Sequence, residues 1–152
     1  MLKALVPCSA ILLAITSTDA AASGPGIEYH SRPGSRAPFS PAVRVGDLVY
    51  ASGQIGARPD GTIPVSMDEQ AKLAMDHVGE ALALAGASFD DVFQCRVMLA
   101  DMKQWPAFNA VYVRYFKPGR LPARSAFGAN GLALGAEVEV ECTAYKPLET
   151  SR

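Results

Sequence analysis

Histidine is scarce in this chain. There are two, His30 and His77, far apart and in different elements, and neither has a cysteine, histidine or carboxylate at ligand spacing. A metal centre is therefore unsupported, and His77, off the apolar stripe of its helix, reads as a surface residue. An excess of either charge is also missing: 14 Lys and Arg stand against 15 Asp and Glu, a net charge of -1, with no basic run. That balance leaves nucleic acid without a basic face to bind. No apolar run reaches the roughly eighteen residues of a membrane span. Gly128, Gly131 and Gly135 do not link a strand to a helix, so they form no phosphate or dinucleotide loop. Ser52, beside Gly53, lacks a nucleophile elbow and an evident histidine partner, and reads as a turn serine.

What is present suits a single domain. A chain of 152 residues buries a real core but not two. Its start stands apart: Met1-Leu2-Lys3 is positive, residues 4–15 are apolar, and Ala20-Ala21-Ala22 ends in small side chains. Residues 1–22 read as a secretory signal cut between Ala22 and Ser23, which directs the chain to the periplasm or the exterior. The alternative is an N-terminal core strand or helix, in which Pro7 and Cys8 sit awkwardly; an unused signal would leave the chain in the cytoplasm. Residues 23–37 are rich in Gly, Pro and Ser and read as a loose arm with room for a short strand at 27–30. The folded domain is expected over 38–147. After cleavage only Cys95 and Cys142 remain. They can pair in an oxidising compartment, but both fall in expected strands, and free buried thiols are the expectation.

Along the domain, residues 42–45 and 48–51 are apolar runs joined by Gly46-Asp47, a hairpin signal. Ser52-Gly53-Gln54 then breaks the pattern, and Pro59-Asp60-Gly61 marks a turn. Ser66 with Glu69 three residues on is a capping box. Ala71, Met75, Val78, Leu82 and Ala85 trace one helical face, and Gly86 ends the helix. Residues 89–99 read as a strand with Cys95, Val97 and Leu99 on one side. A second helix starts near Gln104, carries Trp105, Phe108, Tyr112 and Tyr115 as its stripe, and stops at Lys117-Pro118-Gly119. Pro122 then forces an extended run through Arg124 to Phe127. Strict alternation closes the domain: Glu137, Glu139 and Glu141 on one face, Val138, Val140 and Cys142 on the other. The order β-β-α-β-α-β-β predicts an α+β fold with two helices on one face of a sheet.

From the residues alone, Arg124 and Glu139 have two readings. They are a surface arginine and one carboxylate of a wet strand face, or a guanidinium and a carboxylate sharing a cleft. The blocks PFSPAVRVGDLVYASGQIG, FNAVYVRYF and PARSAFGANGLALGAEVEVECTAY decide between them, because in that order they resemble the RidA (YjgF/UK114) family from Pro38 to Tyr145. The resemblance implies a chorismate-mutase-like homotrimer with clefts between subunits. It implies hydrolysis of 2-enamine and 2-imine intermediates, such as 2-aminoacrylate, to 2-oxo acids and ammonia, without a cofactor. It puts the family's carboxylate-binding arginine on Arg124 and its water-activating acid on Glu139, with Ser52, Gly53 and Asn109 lining the cleft. Two positions depart from the pattern: Phe39 replaces a common tyrosine and Ala126 a common cysteine. Their loss suits a larger or more apolar substrate. It also keeps open a trimer that binds or senses small carboxylates without turnover.

Overall fold

Ser66 and Gly86 bracket the main helix. Glu69 N–H donates to Ser66 Oγ at 3.3 Å, and Gly86 takes a positive φ of 72° just past the helix end. Between them α1 runs Met67–Leu84. The structure, a computed structural model, describes residues 26–148; the expected signal over 1–22 lies outside the described residues. Six strands form one sheet: β1 (Ile27–His30), β2 (Ala42–Val45), β3 (Leu48–Ile55), β4 (Val92–Leu99), β5 (Ala123–Gly128) and β6 (Val138–Tyr145). The second helix, α2, spans Trp105–Tyr112 and follows a 3-10 turn at Met102–Gln104.

The strand order is β1-β2-β3-β6-β4-β5. Pairing is antiparallel except between β4 and β5, which are parallel and joined by way of α2. The short stretch at 27–30 is a paired edge strand, with Tyr29 opposite Val43, so this part of the arm belongs to the sheet. Gly46, at φ 57°, makes the two-residue hairpin turn between β2 and β3.

One face of the sheet carries both helices. Val97, Leu99, Val138, Val140 and Ala144 point into it and meet Ala71, Met75, Val78 and Leu82 of α1 and Phe108 of α2, all fully buried. Each large apolar side chain here contributes about 1.5–3 kcal/mol. The opposite face is uncovered in the single chain and exposes Tyr29, Tyr50, Phe93, Phe127 and Tyr145.

Three expectations need correction. The second strand does not stop at Ala51. It continues to Ile55 through a bulge, where Ser52 and Gly53 stand opposite the single residue Glu141, and the bulge is what breaks the alternation. The strand expected from residue 89 begins at Val92, after a 3-10 turn at Phe89–Asp91. Cys95 and Cys142 are not free thiols but a disulfide. They are direct partners in the β4–β6 register, and the antiparallel pairing puts both side chains on the same face at one level, which strand spacing in sequence does not show.

Candidate functional site

Arg124 lies on β5, at the free edge of the sheet. Its register partners are Cys95 and, through it, Cys142, both buried under the helices. Period-2 alternation therefore puts Arg124 on the helix side. There Nη1 donates to Asn109 Oδ1 at 2.9 Å. The guanidinium carbon lies 4.4 Å from the Trp105 ring centre and 4.5 Å from that of Tyr112. Trp105, Asn109 and Tyr112 are spaced i, i+4, i+7, so one stripe of α2 faces the arginine. A hydrogen bond to a charged group contributes about 1.5–3 kcal/mol. Ala126, two residues on, shares this face and packs against the core. Tyr112 is buried, and burial pushes its hydroxyl up to about 12 against the opposing pull of Arg124. That hydroxyl has no hydrogen-bond partner among the described residues.

Glu139 lies elsewhere. β4 separates β6 from β5, and along β6 Glu139 alternates with the buried Val138 and Val140. Its side chain is thus on the uncovered face, in register with Ile55 of β3 and Met98 of β4. The carboxylate folds over the bulge: a Cβ on Gly53 would collide with Glu139 Oε1, so a side chain there would displace the carboxylate from this position. Burial first, and then the neighbouring Glu141 charge, raise the Glu139 carboxyl above its ordinary value. The bulge itself is pinned by Ser52, whose Oγ donates to Ser40 O at 2.7 Å and whose N–H donates to Pro41 O at 2.9 Å. Phe39, half exposed, comes just before Ser40 and lines a hollow with Pro41, Gln54, His77 and Ala81. The entry to β6 is fixed by buried Gln70, which accepts from Glu137 N–H at 2.8 Å and donates to Pro64 O at 2.7 Å.

Six of the seven candidate residues thus fall into two groups. Arg124, Asn109 and Ala126 are together on the helix side at the β5 edge. Glu139, Gly53 and Ser52 are together around the bulge, and Phe39 lines a hollow next to Gln54 and His77. Within one chain the guanidinium and the carboxylate are on opposite faces and share no cleft. Trp105 and Tyr112 read from sequence as core stripe; their spacing from Asn109 was the signal that they frame the arginine. His77 is not a plain surface residue either, since its Nδ1 is 3.0 Å from Ile55 O. No cluster of three or more metal-ligating side chains is present among the described residues, and no helix among them is long and apolar enough to cross a membrane.

A mixed six-stranded sheet with two helices on one side and a buried-faced arginine at its parallel edge defines an α+β class shared with known structures. The chain belongs to the family described as Endoribonuclease L-PSP, whose model matches residues 29–146, the RidA family of the sequence resemblance. The mouse protein named 2-iminobutanoate/2-iminopropanoate deaminase is 40% identical over 116 residues, covering 75% of this chain and 85% of that one. The yeast protein named MMF1, mitochondrial, is 36% identical over 115 residues, 75% of this chain and 79% of that one. The solved structure of yeast Mmf1 superposes with a TM-score of 0.73 at 34% identity, covering 80% of this chain and 99% of that one. The Escherichia coli structure described as TdcF with bound serine gives 0.71 at 28% identity, covering 78% and 98%.

Proposed function

We propose that this protein hydrolyses 2-imino acids to 2-oxo acids and ammonia, in a site that two copies of the chain build together. The reading rests on one observation above all: the two halves of the predicted site are intact but face opposite ways. A copy that lays its uncovered sheet face over the β5 edge of the next copy brings its Glu139 toward that neighbour's Arg124. Such a contact is head-to-tail, and three copies close it into a ring with three equal sites. The exposed aromatic residues of that face, Tyr50, Phe93 and Phe127 among them, suit burial against another subunit. The deaminase name of the mouse relative supports the reaction class.

The chemistry follows from the two groups. Arg124 offers a planar fork that takes a substrate carboxylate through two parallel hydrogen bonds. Water adds to the C=N carbon and gives up a proton as the C–O bond forms. Glu139 accepts that proton and returns it to nitrogen, giving a carbinolamine; a second proton then passes from its hydroxyl through Glu139 to nitrogen, the C–N bond breaks, and ammonia leaves a 2-oxo acid. Assistance of this kind contributes ~10²–10⁴-fold. The raised Glu139 carboxyl suits a group that both takes and returns a proton. The bound carboxylate neutralises the guanidinium, so the burial that raises Glu139 is not cancelled. The imine is already electrophilic, and the route uses no cofactor. Phe39 in place of a hydroxyl-bearing side chain, and Ala126 in place of a thiol, make the pocket more apolar.

We also infer export. The Cys95–Cys142 disulfide supports an oxidising compartment, in keeping with the signal-like residues 1–22.

The test is a purified protein beginning at Ser23, given freshly generated 2-imino acids. Ammonia and 2-oxo acid must form faster than in buffer, and Arg124→Ala must abolish the excess. Saturable binding of 2-oxo acids with no turnover favours a carboxylate-binding role instead.

A further inference from the structure

We propose that Trp105 and Tyr112 are positioning residues, a two-sided aromatic clamp that fixes the plane of the Arg124 guanidinium and so selects ligands carrying a flat carboxylate. The proposal rests on the reading that Arg124 receives the substrate carboxylate, and it adds how the arginine is made ready.

Seven residues apart on one helix, the two side chains leave the backbone ~10 Å apart along the axis. The guanidinium carbon is 4.4 Å from one ring centre and 4.5 Å from the other. Side chains that start that far apart and both come this close to one cation lean toward each other and flank it along the helix. Both contacts are within the ~6 Å range of cation–π attraction. Asn109, half-way between the rings in sequence, then stops rotation in the remaining direction through its 2.9 Å hydrogen bond. This is the one side-chain hydrogen bond Arg124 makes among the described residues.

The consequence is selectivity by shape. With two rings against the cation and Asn109 on one N–H, a ligand is left the remaining N–H groups, which lie in the guanidinium plane. A carboxylate meets that plane with two bonds. Because the side chain is already immobile, less conformational entropy is lost on binding. A lysine on β5 would have neither the plane nor the faces for the clamp to hold.

Trp105 is the only tryptophan in the chain, so its fluorescence reads the clamp directly. Full-length protein is titrated with 2-oxobutanoate, an unreactive probe, by emission and by calorimetry in parallel. Saturable change in emission with the calorimetric Kd is expected in the wild type, and no change in Arg124→Ala. Trp105→Leu is expected to raise Kd for the probe, and KM for a 2-imino acid, by roughly three- to thirtyfold, the range of one cation–π contact. Its kcat stays within about twofold, as for loss of uniform binding. Trp105→Phe, which keeps an aromatic face, recovers most of the loss. Equal Kd in Trp105→Leu and wild type overturns the clamp, as does equal weakening by Leu and Phe. Silent emission in a wild type that binds by calorimetry overturns it too. If Arg124→Ala binds as the wild type does, the parent reading fails and the clamp fails with it.

Discussion

Two arginines are held by this fold in opposite ways. Arg44, on β2, is 5% exposed and spends its donors on backbone: Nη1 on Gly46 O at 3.1 Å and Lys146 O at 2.8 Å, Nη2 on Ala85 O at 2.7 Å. It ties the hairpin turn, the end of α1 and the end of β6 into one corner. Arg124, at the β5 edge, has one side-chain hydrogen bond and two aromatic walls. The first arginine is consumed by structure. The second keeps its other side-chain donors unpartnered among the described residues, which is the arrangement of a receptor.

Substitution separates the two most sharply. Arg44→Ala strips three backbone carbonyls of their partner, that of Ala85 buried and those of Gly46 and Lys146 partly so, at about 1–3 kcal/mol for each group left unsatisfied. A loss of about 4 kcal/mol in unfolding free energy is expected, read from denaturant midpoints, with the activity of the surviving folded fraction unchanged. Arg124→Ala is expected to do the reverse. It lowers kcat/KM by ~10²-fold or more, the loss of a charge-assisted bidentate contact, while its unfolding free energy falls by about 2 kcal/mol, the share of one hydrogen bond to a charged group. If Arg124→Ala unfolds the protein as readily as Arg44→Ala, the contrast is wrong.

The disulfide bears on the second arginine's side of the molecule, for Cys95 is the register partner of Arg124. Cys95 and Cys142 close a loop of 47 residues, and removing such a bridge costs about 2–4 kcal/mol. Thermal melts of the Cys95→Ala/Cys142→Ala pair, against wild type with and without reductant, measure it. A wild type indifferent to strong reductant in the unfolded state would show that the bridge is absent.

A smaller effect distinguishes the carboxylate half. The folded-state pKa of Glu139 lies above its ordinary value, so the folded chain holds the proton more tightly than the unfolded one. Its contribution to stability is full below the ordinary carboxylate pKa and is lost as pH rises through the raised one. Melting temperatures of wild type and Glu139→Gln, compared from acid to neutral pH, should shift steadily in favour of Gln as pH rises. In activity the sign is the other way. Turnover should fall as pH drops through the same raised pKa, because the base becomes protonated. A gap between the two proteins that does not change with pH denies Glu139 its environment.

Much of the fold was legible in local chemistry. Gly46-Asp47 turns the hairpin, Ser66 and Gly86 bracket α1, and the alternation of Val138, Val140 and Cys142 marks the inward face of β6. These signals act over a few residues and do not depend on neighbours. The site was legible as a set of residues and not as a geometry. Proximity of the β5 and β6 runs in sequence suggested a shared cleft, but β4 inserts between them, and strand order is a tertiary choice. The bulge at Ser52-Gly53 reads as a strand end because it breaks the alternation; only the pairing that resumes between Gln54 and Val140 shows that the strand continues. The disulfide was missed for the same reason, since two cysteines 47 residues apart meet only through register.

The account stands or falls on a site shared between copies, and subunit mixing tests that directly. Arg124→Ala and Glu139→Gln, each inactive alone, are co-expressed and purified as one assembly. A site that takes its arginine from one copy and its carboxylate from the next is whole in about a quarter of random pairings, so activity should return to roughly a quarter of the wild-type level. Mixed assemblies as inactive as their parents would place both groups in one chain's site, which contradicts the account.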